Sequence, residues 1–293
     1  MAGKLGISSD RIAVGAGLVG LIDVAVKALS EPDQNIVTAE ITFEGYKLMA
    51  KANRRECRMA KLTNNAIDLE RLRELCDENT GIVFIANPNN PTGTMISHEA
   101  LHEFLSSVNE KTCVIVDEAY REYVTGSGYA DTLELQQLFP NLITFRTFSK
   151  IYGLAGLRIG YVIAQPPVIQ AFTSCRIPFA VNSLAAAAAF AALDDTEFVN
   201  SCREKNAQER NRLCAALKAL GYQVTPPTAN FIYVELASRS EKLRIMTLLK
   251  NEGILVRDLD NFGVDSALRI TVGRLEENQK LVKTIGKIKR PVR

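Results

Sequence analysis

Histidine is nearly absent from this sequence, with His98 and His102 the only two. A catalytic metal at this pair would therefore need a carboxylate as its third ligand. Long apolar runs are missing too. The longest, residues 184–193, is mostly alanine and about half the ~20 residues that a membrane span needs. A helix capped by Ser183 is the expected form of that stretch. No charged, apolar, small-residue signal opens the chain, which points away from secretion and toward the cytoplasm. Neither sign of charge is in excess, since Lys plus Arg is 35 and Asp plus Glu is 33. That balance gives no reason to expect a nucleic-acid partner. The six cysteines (Cys57, Cys76, Cys113, Cys175, Cys202, Cys214) include no CxxC and no framework spacing. Reduced thiols packed as small apolar residues are expected.

What is present suffices for a large core. With 293 residues, 47% hydrophobic and 23% charged, one large and one smaller domain are expected. A strand over 11–14 leads through GAGLVG into an amphipathic helix with Leu21, Ile22, Val24, Ala25 and Leu29 on its apolar side. A second strand covers 35–39. Gly15, Gly17 and Gly20 have the spacing of a dinucleotide-binding turn, with Glu40 at the offset of its acidic residue. The same physics serves any phosphate, because backbone N–H groups at a glycine-rich helix start attract anions. A glycine turn that merely packs a helix on a sheet also fits.

GIVFIA (81–86) is a buried strand that ends in NPNNPTG (87–93), where two prolines and Gly93 hold Asn90 rigidly at the strand's carboxyl end. HEALH (98–102) matches a zinc-protease pattern. It lies on a helix capped by Ser97, with Leu101, Phe104, Leu105 and Val108 as core stripe. A solvated helix face, without metal, is the expectation. A fourth strand over 113–116 closes in Asp117-Glu118-Ala119-Tyr120. A fifth, over 142–145, leads to Lys150. Three strand ends thus bring Asn90, Asp117 and Lys150 to one edge of a sheet, where open α/β sheets bind ligands.

Residues 195–220 read as a long charged helix bridging two domains. Beyond Pro226-Pro227 the pattern gives a strand (230–235), a helix (241–251), a strand (254–257), ALRITVG (267–273) and a closing helix. This is a small α+β unit.

The richest string is TFRTFSKIYGLAGLRIGY (144–161). Thr147, Ser149 and Arg158 are three donors gathered around the amine of Lys150. Hydroxyls and a guanidinium suit a phosphate, and an amine beside them suits a Schiff base with an aldehyde cofactor. The string resembles the lysine segment of the pyridoxal-phosphate (PLP) aminotransferases of fold type I, and GLAGLRIGY is most similar to that of the histidinol-phosphate aminotransferases. NPNNPTG, DEAY, the lysine segment and ALRITVG stand in that family's order, and the resemblance covers nearly the whole chain.

Its implications are expectations. The fold is α/β, a mostly parallel seven-stranded sheet sandwiched by helices, with a large PLP-binding domain over 1–195 and a small α+β domain over 196–293. Gly17, Leu18 and Val19 would hold the cofactor phosphate through their backbones, with Thr147, Ser149 and Arg158. Ala16 and Gly20 depart there from the family's polar pattern. Phe43 would stack on the pyridine ring, although as a bare residue it reads as core, and Tyr46 is nearby. Asn90 and Tyr120 would meet the ring oxygen, and Asp117 the ring nitrogen. Lys150 would carry the cofactor. Arg269 resembles the arginine that grips the substrate α-carboxylate, a task for a bidentate fork. Arg257 is a candidate for a substrate phosphate, with a surface ion pair as the competing reading.

The expected activity is transamination between an amine such as histidinol phosphate and a 2-oxo acid, in histidine biosynthesis, by a homodimer. Alternatives are an aromatic-amino-acid aminotransferase, a threonine-phosphate decarboxylase (which tends to have proline where Ala155 stands), a non-catalytic remnant, and an NAD-dependent oxidoreductase. Relatives carry several tens of residues before the strand near Arg11, including a tyrosine offered to the neighbouring subunit. This segment is expected to be missing here, by fragmentation, a misassigned start or shortening.

Overall fold

A computed structural model describes residues 1–288. Its larger sheet contains β1 (Ile12–Gly15), β2 (Asn35–Ala39), β3 (Cys57–Ala60), β4 (Thr80–Ala86), β5 (Cys113–Asp117), β6 (Leu142–Thr147) and β7 (Gly160–Ile163). Their spatial order is β1-β7-β6-β5-β4-β2-β3. β7 is antiparallel to both its neighbours, and the other pairings are parallel.

Every residue of β4 is buried. Such a continuous apolar run belongs to a parallel strand covered on both faces. Ile82, Phe84 and Ala86 pack with Ile115, Phe145 and Phe172 on the side of helices Gly17–Leu29 and Pro166–Cys175. Val83 and Ile85 pack with Val114, Val116, Leu101 and Leu105 on the side of helix His98–Ser107.

The smaller sheet is antiparallel, built from β8 (Gln223–Val224), β9 (Phe231–Glu235), β10 (Arg257–Asp258) and β11 (Ala267–Thr271) in the order β10-β11-β9-β8. Leu217, Ile245 and Leu281, from helices Thr196–Ala219, Arg239–Asn251 and Leu275–Ile285, pack with Ile232 and Leu268 of this sheet. The long helix packs on the smaller sheet and also reaches the loop after β5. Arg210 donates to the Tyr123 carbonyl at 3.4 Å and to the Ala229 carbonyl at 3.0 Å.

Three expectations are corrected. β1 and β2 are not neighbours, since β7, β6, β5 and β4 lie between them. A dinucleotide-binding βαβ unit needs adjacent strands flanking a crevice, so that reading of the glycine turn fails. The alanine-rich helix Ser183–Asp194 is capped by Asn182, whose side chain accepts from the Ala185 N–H at 2.8 Å. Ser183 falls one residue too late to reach that donor. The strand expected over 254–257 shrinks to Arg257–Asp258 because the Ile254 N–H is spent on the Leu249 carbonyl, closing the preceding helix. The thiols are free, and Cys57, Cys76, Cys113, Cys202 and Cys214 pack, partly buried, against the apolar cores as expected, while Cys175 is exposed.

Candidate active site

Lys150, Asp117 and Asn90 follow or end β6, β5 and β4, three adjacent parallel strands, so their side chains meet at one carboxyl edge. A cavity of about 280 Å³ opens there, the scale of a small-molecule site. Asn90, Asp117, Tyr120, Lys150, Arg158 and Arg269 line it, with Leu18, Val19, Phe43, Thr147, Ser149 and Arg257. Of the site residues expected from the sequence, all but Gly17 line this cavity, and Gly17 lies directly behind Arg158.

One end of the cavity is built for an anion. Ala16 precedes helix Gly17–Leu29 and provides no side-chain cap, so the first-turn N–H groups keep their donor capacity. Gly17 has φ +73°, and a Cβ added to it would stand 2.4 Å from Arg158 Nη2. Only glycine lets the guanidinium lie against this turn. Arg158 donates to the Ala155 carbonyl at 3.0 Å and reaches Ser149 Oγ at 3.5 Å. Thr147 Oγ1 accepts from the Ser149 N–H at 3.1 Å, which fixes the loop. Phe148, fully buried against Tyr152 and Tyr161, anchors it from below. Backbone N–H groups, two hydroxyls and a guanidinium are the donor set of a phosphate site.

Asp117 is 4% exposed. Its Oδ2 accepts from the Tyr46 hydroxyl at 2.8 Å and its Oδ1 from the Ala119 N–H at 3.0 Å. Burial pushes its pKa up to about 6, against the lowering pull of those two donors and of the Lys150 charge. The neighbouring Glu118, fully buried, accepts from Arg146 at 2.7 Å and so ties the end of β5 to β6.

Tyr46 is the residue whose role the sequence left open. Its ring stacks on Phe84 at 4.8 Å and meets Phe43 edge-on at 5.5 Å. The only sequence signal was its position three residues after Phe43, one helical turn away. A second brace was not foreseen. Thr42 donates to Asn89 Oδ1 at 2.8 Å, and Asn89 Nδ2 to the Ile41 carbonyl at 3.1 Å, which joins the Phe43 wall to the proline loop.

The smaller sheet supplies the opposite wall. Arg269 on β11 donates to Asn90 Oδ1, and its guanidinium lies 4.9 Å from the centre of the Phe231 ring. Its Nε is buried without a hydrogen-bond partner among the described residues, and burial pulls its pKa below the ordinary value. Arg257 pairs with Arg269 directly across the strands. Two like charges in register repel unless an anion joins them. The surface ion pair considered for Arg257 does not form among the described residues. It packs near the Phe262 ring, at 5.9 Å.

Lys150 Nζ stands 5.1 Å from the centre of the Tyr120 ring, which in turn meets Phe231 edge-on. An amine, a buried carboxylate and a phosphate cradle around one cavity fit an anionic aldehyde cofactor with a basic ring nitrogen. The HEALH segment has no share in this. His98 Nδ1 accepts from the Asp131 N–H at 3.3 Å, His102 packs edge-on to Phe139, and Glu99 is exposed.

Comparison with known proteins agrees with this geometry. A histidinol-phosphate aminotransferase from Anaeromyxobacter sp. (strain Fw109-5) is 39% identical over 289 residues, spanning 98% of this chain and 79% of that protein. The histidinol-phosphate aminotransferase of Sinorhizobium meliloti, solved in complex with pyridoxal-5'-phosphate, superposes with a TM-score of 0.90 at 30% identity, over 98% of this chain and 78% of that one. The L-threonine-O-3-phosphate decarboxylase of Porphyromonas gingivalis has a TM-score of 0.82 at 24% identity, over 98% and 86% of the two chains, which speaks for a common fold alone. The family model for class I and II aminotransferases matches residues 2–285. With lysine, aspartate and asparagine converging from the strand ends and arginine facing them from β11, this chain belongs to the class I and II aminotransferases.

Proposed function

We propose that the protein is a PLP-dependent aminotransferase that moves an amino group between histidinol phosphate and 2-oxoglutarate. The observation that carries this is the pairing of two ends in one cavity, a phosphate cradle at Gly17 and Arg158 and a second anion site at Arg257 and Arg269. Bound between them, pyridoxal phosphate supplies an aldehyde for an amine and a ring that draws electrons from the substrate Cα.

The chain's own residues do the rest. The first-turn N–H groups, Thr147, Ser149 and Arg158 would hold the cofactor phosphate. Phe43 would cover the ring, Asn90 and Tyr120 would meet its oxygen, and ionised Asp117 would keep its nitrogen protonated. Lys150 Nζ would anchor the cofactor through its amine, and the same amine would serve as the base for the proton at the substrate Cα. Arg269 grips the glutamate α-carboxylate. Histidinol phosphate carries a phosphoester arm in that place, and Arg257 extends the guanidinium surface to meet its larger charge. The cofactor domain is proposed as 1–195 and the substrate-closing domain as 196–293.

Half-reactions with histidinol phosphate, glutamate and phenylalanine test the assignment, with preference for the phosphorylated amine as the expected result. Arg257→Ala should raise KM for histidinol phosphate by about 10–100-fold, the range for losing charge-assisted hydrogen bonds, while glutamate changes little. An equal KM for all three amines in the wild type would refute the substrate reading.

A homodimer is part of the proposal. Ile177, Phe179, Leu184 and Phe190 are each 70% exposed or more. They lie on and before helix Ser183–Asp194, beside the lysine loop, to which Asn182 donates at the Leu157 carbonyl (3.5 Å). An apolar face of this kind marks an interface, and a second copy of the chain is its proposed occupant. Leu184→Glu with Phe190→Glu should shift the mass seen in light scattering from dimer to monomer. A wild type that is already monomeric at micromolar concentration would end this part. Among the described residues no helix is long and apolar enough to cross a membrane. The cytoplasm, where small phosphorylated metabolites are handled, is the proposed compartment.

A further inference from the structure

Lys242 breaks a local rule. It sits in the first turn of helix Arg239–Asn251, where the helix dipole disfavours a cation, and it is completely buried. Its ammonium lies 2.9 Å from Asp258 Oδ1 and also bonds Asp260. Burial alone would lower its pKa, but the hydrogen bonds to Asp260 and Asp258 outweigh this and leave it above the ordinary lysine value. Asp260 is held a second time, by Arg239 at 2.9 Å, and its N–H donates to Asp258 Oδ1 at 3.1 Å.

These two aspartates flank the cavity wall. Arg257 immediately precedes Asp258, and Phe262 ends the turn Asp260–Phe262. Adjacent strand residues point to opposite faces, so Asp258 turns to Lys242 while Arg257 turns to the cavity. Among the described residues Arg257 is thereby left without a carboxylate partner, although two carboxylates lie within three residues of it.

We propose that Lys242 is a positioning residue for substrate recognition: by binding Asp258 and Asp260 it holds the 257–262 segment against the cavity and keeps both carboxylates from neutralising Arg257. This rests on the assignment of Arg257 to the substrate phosphate. Without the lysine, Asp258 loses its cation and Asp260 keeps only the exposed Arg239 among the described residues, which frees both carboxylates to compensate Arg257 in their own segment. The phosphorylated amine loses most, because it depends on the Arg257 charge. Glutamate, held by Arg269 and Asn90, loses little.

Steady-state kinetics on the PLP-loaded enzyme test this with Lys242→Met, Lys242→Gln, Arg257→Ala and the triple variant Lys242→Met/Asp258→Asn/Asp260→Asn. Lys242→Met should raise KM for histidinol phosphate about 10-fold, in the range for a lost charge contact, with kcat and the glutamate KM within about 2-fold of wild type. The triple variant, which removes the competing carboxylates with the lysine, should return that KM to within about 3-fold of wild type. Lys242→Gln keeps a donor without the charge and should shift KM in the same direction. It serves as the test if the methionine variant does not fold. Equal increases for both substrates, or no recovery in the triple variant, would mean a merely structural lysine and overturn the proposal. A normal KM in both Lys242 variants beside a raised one in Arg257→Ala overturns it while leaving the phosphate assignment intact. If Arg257→Ala itself is silent, the phosphate assignment falls and this proposal with it.

Discussion

Lys150→Ala should leave a protein that still binds pyridoxal phosphate but neither links to it nor transaminates. The phosphate cradle at Gly17, Ser149 and Arg158 lies on separate groups, so reversible binding persists, although weaker. The covalent link depends on one amine, and among the described residues no other lysine lines the cavity. Borohydride reduction followed by mass spectrometry should find the cofactor mass on the peptide containing residue 150 of the wild type and nowhere in the variant. Turnover suffers twice. Proton transfer at the substrate Cα loses its base, alone worth about 10²–10⁴-fold, and the cofactor loses its anchoring amine. A reduced adduct at wild-type level in the variant would show that a different residue carries the cofactor.

Asp117→Asn is expected to move activity and stability in opposite directions. Activity should fall by several orders of magnitude, because a neutral amide cannot hold a proton on the ring nitrogen and the ring then draws electrons poorly. Stability of the cofactor-free protein should rise at neutral pH. In the fold, burial lifts the Asp117 pKa from 3.8 to about 6. The folded chain therefore binds this proton more tightly than the unfolded one. The stability that accompanies the protonated form is fully present below about pH 4 and is lost as pH rises through 6. The whole loss is ~3 kcal/mol above pH 7. Asparagine does not titrate and escapes it. Urea unfolding of cofactor-free wild type and variant should give curves that agree near pH 4 and separate between pH 4 and 7, with the variant the more stable. Parallel pH profiles would mean that the carboxylate is better solvated than its burial implies. The wild type thus keeps a destabilising charge that only a cationic partner relieves.

Sequence reading went far where chemistry is written locally. Asn90, Asp117 and Lys150 each close an apolar strand, and a strand's end is visible within a few residues. Phosphate donors were legible for the same reason, since Thr147, Ser149 and Arg158 share one loop. Partnerships across distance were not. Tyr46 meets a carboxylate 71 positions away, and nothing beside Phe43 announces it. Lys242 reads as one more polar residue on a charged helix, and only folding reveals that it is buried under Asp258 and Asp260. The glycine turn misled in one respect. Gly15, Gly17 and Gly20 fit a nucleotide fold perfectly well until strand order is known, and strand order is a property of the whole chain. Asn182 replaced Ser183 as a cap because two good capping residues stood side by side and geometry chose between them.

β1 pairs with β7 in the register Ile12 to Ile163 and Gly15 to Gly160. The two halves of the phosphate cradle sit just outside this pairing, Gly17 after β1 and Arg158 before β7. One zipper therefore assembles the cradle, and its teeth come from opposite ends of a long stretch of chain. During synthesis the strands from β2 to β6 emerge before β1 can find its partner, so the first-made part of the site is among the last to be seated. Closing so long a loop is entropically costly and slow, and it follows the local strand pairings. Cofactor capture in a ribosome-bound chain would then begin only once β7 has cleared the exit tunnel, which makes the phosphate cradle a late checkpoint of the folding programme.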